Sequence, residues 1–72
     1  MSRDEIIKVL QTQPHVKITH VLFDADEYLY SKEDGNVYDE NGYLFESWEG
    51  YAHNGMRMRQ GGNWETGWSI KN

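Results

Sequence analysis

Asp24, Asp26 and Glu27, with Asp34 downstream, are the first residues of this 72-residue chain whose types and spacing suggest chemistry, because clustered loop carboxylates are what calcium takes. The register fails. A calcium loop begun at Asp24 puts Tyr28 at its fifth position and Gly35 where the bidentate glutamate belongs. Solvated turn carboxylates are the ordinary alternative, since aspartate bonds its own backbone in turns. His15, His20 and His53 lack the short spacings of a zinc site, and the chain has no cysteine to complete one. His20 falls on an apolar strand face and is expected to be a hydrogen-bonded core or edge residue, because no nucleophilic serine or cysteine setting accompanies it. Glu40, Glu46 and Glu49 could meet across a hairpin, but a general acid needs an enclosed pocket that a small open sheet does not offer. No enzyme, metal or cofactor is expected.

Two clusters suit binding rather than catalysis. Arg57, Arg59, Gln60, Gly61, Gly62, Asn63 and Trp64 place forked cations and a glycine turn beside an indole, which is suited to phosphate and a base. The plainer reading has the arginines neutralising Glu46, Glu49 or Glu65 while the tryptophans fill the core. In the second cluster, Tyr28, Tyr30, Tyr38, Tyr43 and Tyr51 interleave with Asp and Glu, a composition suited to docking on an arginine-rich groove and equally to half-exposed rings beside solvated turns.

The elements that must position these residues follow from periodicity and turn chemistry. Ser2 and Glu5 form a capping box for a helix over residues 3–12, which Pro14 ends and whose apolar stripe is Ile6, Ile7, Val9 and Leu10. Residues 15–23 alternate as a strand, with Val16, Ile18, His20 and Leu22 on one face. Asp24-Ala25-Asp26 turns the chain, and residues 27–32 alternate again, with Tyr28 and Tyr30 on one side and Leu29 on the other. Glu33-Asp34-Gly35 makes a tight turn into a hairpin, Asn36 to Trp48, whose connection is Asp39-Glu40-Asn41-Gly42. Residues 49–55 read as a loop, 56–60 as a strand, Gly61-Gly62-Asn63 as a turn and 64–70 as the last strand. The expected fold is α+β, a single domain over 1–72 in which a short N-terminal helix packs on an antiparallel sheet of five to six short strands.

Size and charge narrow the class. A chain this short buries about 60% of its unfolded surface, so its core must be small and rich in its ten aromatic residues. The absence of cysteine suits a reducing cytoplasm, and oligomerisation, here a homodimer through a sheet edge, is the remaining reinforcement. No segment approaches the roughly 18 apolar residues of a membrane span, and a signal peptide is not expected. The net charge of −5 is uneven: residues 24–49 carry nine acidic side chains against Lys32 alone. Such a middle repels phosphate backbones and attracts basic surfaces, so duplex nucleic acid is excluded as a direct partner.

Lys17-Ile18-Thr19-His20, Phe23, Glu27-Tyr28, the run Val37 to Tyr43 and the closing run Trp64 to Ile70 resemble small accessory proteins of tailed bacteriophages over most of the chain. The layout, a short helix and then a compact sheet ending in a tryptophan-rich strand, is also similar to the phage Thoeris anti-defence sponge family and its anti-CRISPR relatives, on architecture alone. The resemblance implies a phage-encoded, non-enzymatic inhibitor working in the host cytoplasm by disabling a host or defence component. The expected contact residues are Asp34, Asp39, Glu40, Glu46 and Glu49, which mimic nucleic-acid phosphates in a basic groove, with Tyr38 and Tyr43 supplying apolar contact. One alternative is an oligomeric sponge that holds a cyclic nucleotide on Arg57, Arg59 and Trp64; another is a minor structural protein.

Overall fold

The structure, a computed structural model, describes residues 1–47 and 62–72, with the backbone alone for Glu46 and Ser47. The helix α1 (Arg3–Thr12) starts where its capping box dictates: the Ser2 amide donates to Glu5 Oε1 at 3.0 Å and the Glu5 amide to Ser2 Oγ at 3.2 Å. Its other end is closed by the Gln13 amide on the Val9 carbonyl, before Pro14. Ile6, Val9 and Leu10 are buried, as the stripe requires.

Five strands follow: β1 (Ile18–His20), β2 (Leu29–Ser31), β3 (Asn36–Asp39), β4 (Leu44–Ser47) and β5 (Trp68–Ile70), with a 3-10 turn at Gly62–Trp64 before the last. All pairs are antiparallel and the order is β4-β3-β2-β1-β5. The helix covers one face, on which Ile18, Leu29, Val37 and Trp68 join Ile6, Val9 and Leu10 in the core, with Ile7, Val16, Phe23, Phe45 and Trp64 around its rim. Ser31 is buried there too. Its hydroxyl donates at 2.6 Å to the Leu10 carbonyl, one of the acceptors that a helix end leaves without an intrahelical partner.

The strands are shorter than their alternation predicts, for identifiable reasons. β1 stops at His20 because the chain turns at once: the Phe23 amide bonds the His20 carbonyl at 3.0 Å and the Leu22 amide bonds His20 Nδ1 at 3.0 Å. Val21 and Leu22 are left 76% and 53% exposed instead of extending the sheet. Residues 64–67 are not strand either. Trp64 ends the 3-10 turn, and Gly67 at φ +89° leaves the extended region immediately before β5. The expected strand at 56–60 and loop at 49–55 lie outside the described residues.

Both hairpins use one device. The Asp39 amide bonds the Tyr43 carbonyl at 3.0 Å around Glu40-Asn41-Gly42, and the Lys32 amide bonds the Asn36 carbonyl at 3.2 Å around Glu33-Asp34-Gly35. Each loop thus has three residues with a left-handed glycine third (Gly35 φ +81°, Gly42 φ +80°), so Asp39 belongs to β3 and not to a four-residue connection. Beyond the second turn the register shifts, Val37 opposing Glu46 while Tyr38 opposes Leu44. Phe45 is the extra residue, half-buried against the core.

Among the described residues β4 and β5 form the two edges. The outer edge of β5 is partly closed: the Met1 ammonium donates to the Trp68 carbonyl at 2.7 Å, the Trp68 amide donates to the Met1 carbonyl at 3.2 Å, and the Arg3 amide bonds the Glu65 carbonyl at 3.0 Å.

Two glycines separate backbone strain from crowding. A Cβ on Gly42 meets nothing within 4 Å, whereas one on Gly67 lies 3.0 Å from both His20 Nε2 and Val21 Cγ2. Gly42→Ala is expected to cost about 1–2 kcal/mol from its left-handed backbone alone. Gly67→Ala adds overpacking, for about 2–4 kcal/mol in all by denaturant unfolding; equal losses at the two positions would remove the close approach from the account.

Candidate functional site

Antiparallel order puts the β1–β2 loop and the β3–β4 turn at one end of the sheet, and the β2–β3 turn with the α1–β1 loop at the other. Asp24, Asp26, Glu27, Asp39 and Glu40 therefore share one end. Glu33 and Asp34 occupy the opposite end, on the order of 13 Å away at about 3.4 Å per residue of β3. The carboxylates expected to act as one surface, Asp34, Asp39 and Glu40, are split between these ends. Glu46 lies on β4, its side chain outside the description, and Glu49 is outside the described residues altogether, as are Arg57 and Arg59.

Each described carboxylate is held differently. Asp39 Oδ1 accepts from the Asn41 amide at 2.9 Å and the Tyr43 amide at 3.1 Å, so it builds the turn that it sits on. Asp34 accepts the Tyr38 hydroxyl on one oxygen and the Asn36 amide on the other, at 2.9 Å. The Tyr38 hydroxyl holds the Asp34 carboxyl below its usual value, with the Asn36 amide adding to it. Glu33 is lowered by the backbone amide it accepts from, then by His15, whose Nε2 lies 2.6 Å from Oε1. His15 itself adopts φ 70°, with its amide on the Ser31 carbonyl at 2.8 Å. Asp24, Asp26, Glu27, Asp39 and Glu40 make no ion pair among the described residues; the pairs present are Arg3–Asp4 and His15–Glu33.

Lys32, the one cation in the acidic middle, does not neutralise it. Its Nζ lies 4.1 Å from the centre of the Tyr38 ring. Tyr38 in turn stacks on Tyr30, ring centres 5.9 Å apart at 27°, and Tyr30 meets Tyr28 at 6.0 Å, while Lys17 Nζ lies 4.7 Å from the Tyr28 ring. These residues form a row on the sheet face opposite α1 that runs along β2 from Tyr28 to Tyr30 and crosses to Tyr38 on β3. The shared face of Tyr28 and Tyr30 was expected from the alternation; the stack of Tyr30 on Tyr38 and the lysines over the outer rings were not, although Lys32 continues the same period of two. Tyr43 is 71% exposed beside the β3–β4 turn.

On the covered face His20 is buried, as its apolar strand position suggested. Its Nδ1 accepts from the Leu22 amide and its Nε2 therefore carries the proton, donating to the Thr66 carbonyl at 2.7 Å. Trp64 packs against it with ring centres 4.4 Å apart, and the Trp64 carbonyl accepts from Trp68 Nε1 at 2.8 Å. The indole offered to a nucleotide base thus has a packing role of its own. With both ring nitrogens engaged, His20 has none free to take a proton from a substrate. Among the described residues no three metal-ligating side chains converge.

Two outcomes follow. In long-range ¹H–¹⁵N spectra at neutral pH, His20 should show an unprotonated Nδ1 and a protonated Nε2; the opposite tautomer contradicts the Leu22 and Thr66 bonds. The carboxyls of Glu33, Asp34 and Glu5, the last lowered by the Ser2 amide and hydroxyl, all bind protons less readily folded than unfolded. Their stabilisation is therefore complete above the ordinary carboxylate range and is lost as pH falls through the lowered values. The melting temperature should hold between about pH 7 and 5 and fall below about pH 4, with Glu33→Gln, Asp34→Asn and Glu5→Gln together flattening the decline.

Compared with protein-family models, with curated proteins and with solved structures, the chain matches none.

Proposed function

We propose that this protein is a non-enzymatic binding protein that docks the acidic end of its sheet on a basic surface of another macromolecule. Following the phage resemblance, that target is a host or defence component whose nucleic-acid groove it occupies. The observation that carries this reading is the set Asp24, Asp26, Glu27, Asp39 and Glu40, gathered at one end by two separate connections and making no ion pair among the described residues, although Lys71 Nζ reaches the Ala25 carbonyl at 2.8 Å beside them. A solvated group of like charges is disfavoured by its own repulsion, and a surface of opposite sign relieves that repulsion and steers encounter. Asp39 stiffens its turn, and a fixed charge loses less freedom on docking than one on a mobile loop.

Asp24, Asp26 and Glu40 make no side-chain hydrogen bond that the fold depends on, so Asp24→Lys, Asp26→Lys and Glu40→Lys together reverse the field without dismantling a turn. Binding of an arginine-rich peptide, read by fluorescence anisotropy at low salt, should weaken at least about ten-fold in this triple variant, and wild-type binding should fall steeply as the Debye length shortens. Affinity unchanged by charge reversal, in a variant with native circular dichroism, sinks the acidic-end reading.

A further inference from the structure

We propose that the sheet face opposite α1 binds single-stranded nucleic acid, with two or three nucleotides laid along the tyrosine row of β2 and β3, bases on the tyrosines and phosphates on Lys17 and Lys32. The row Tyr28, Tyr30 and Tyr38 presents three rings at successive spacings of 6.0 and 5.9 Å, with Leu44 opposite Tyr38 continuing it to the β4 edge. Every base has an apolar face, so such a row takes a single strand without regard to sequence. A cation stands at each end, Lys17 over Tyr28 and Lys32 over Tyr38. A phosphate draws the ammonium off its ring, because two full charges attract more strongly than a charge and a quadrupole, and the ring is then open to a base.

Two ammonium groups, those of Lys17 and Lys32, stand on this face although the chain's net charge is −5. Lys17 immediately precedes β1 and Lys32 immediately follows β2, at the end of the sheet that also carries Glu33, whereas Asp24, Asp26, Glu27 and Glu40 lie on the connections at the other end, with Asp39 the last residue of β3 beside them. Asp34 stands at the margin of the row, bonded to the Tyr38 hydroxyl. A single strand following the rings runs along β2 from Tyr28 to Tyr30 and then crosses to Tyr38 on β3, a path only one nucleic-acid strand wide. A duplex, whose major groove alone is about 12 Å across, overhangs strands of three or four residues and meets carboxylates on both sides.

The same features disfavour other occupants. A second copy set face to face opposes its own lysines. An acidic peptide would be drawn to the two lysines but repelled by Asp34, which is bonded to the Tyr38 hydroxyl at the margin of the row.

The test uses the intact chain with a 5′-labelled oligothymidylate of about ten nucleotides, read by anisotropy at about 20 mM salt. The single strand should bind at least about ten-fold more tightly than the matched duplex or an oligoglutamate peptide. Tyr30→Leu and Tyr38→Leu should each weaken it about five-fold or more, and Lys17→Gln or Lys32→Gln should lower the salt slope by about 0.7. Equal affinity for duplex or oligoglutamate, or none for the single strand, overturns the proposal. Should a tyrosine variant unfold, ring resonances of wild-type Tyr30 and Tyr38 decide: they must shift on titration, and shifts confined to other residues overturn it. The triple Asp24, Asp26 and Glu40 reversal should leave this binding intact or tighter, which separates it from docking through the acidic end.

Discussion

Trp68 seated against His20 is the contact on which the rest of the molecule depends. β1 lies between β2 and β5, so its backbone is paired on both sides only when the last strand arrives, and the arrival is registered by His20 opposite Trp68. The Trp68 ring stands edge-on to His20 at 4.7 Å and to Phe23 at 5.7 Å, with its indole nitrogen bonded back to Trp64. Gly67 makes room for this, since a Cβ there would stand only 3.0 Å from the imidazole Nε2. The N-terminal residues then pair with Trp68, which links the start of α1 to the same strand. In a chain with no disulfide, one buried tryptophan thus joins the helix, β1 and the edge strand.

The distribution of charge follows from what each position asks of the backbone. Connections between short strands need residues that bond their own amides or accept a left-handed φ, and Asp34-Gly35, Asp39 and Gly42 meet that need. Acidity therefore collects at the two ends of the sheet. The strands have a different requirement: the residue facing away from the core must cover the pleat without being greasy enough to aggregate. Tyrosine with a lysine stem laid over it does so. The outcome is a body with acidic poles and an aromatic, lysine-capped flank, two surfaces of opposite character within the span of four-residue strands.

How much of this was legible depends on the range of each signal. The helix and both glycine turns are local, carried by residues within five positions of one another, and Ser2, Glu5, Pro14, Gly35 and Gly42 announced them correctly. Alternation is local as well, but it continues through residues that tertiary bonds pull out of the sheet. Val21 and Leu22 read as strand, and a bond from the Leu22 amide to the His20 ring turns them outward. The grouping of carboxylates was not legible at all. Asp34 and Asp39 are neighbours in the chain, yet they lie at opposite ends of β3, while Asp24 and Asp39 share an end through strand order alone. Ser31 was overlooked because its partner, the Leu10 carbonyl, is supplied by a helix residue 21 positions earlier.

The strand order also dictates a sequence of events during folding. The β2–β3–β4 meander closes through loops of three residues, contacts of the kind that form within about 10 μs. Pairing β5 with β1 must gather about fifty intervening residues and carries most of the loop-closure entropy, so nucleation belongs to the tyrosine-bearing hairpins and completion to the tryptophan. A chain caught before that last step would have its acidic turns already formed and β1 unprotected along one edge, which is the form most open to proteases and to pairing with a neighbour.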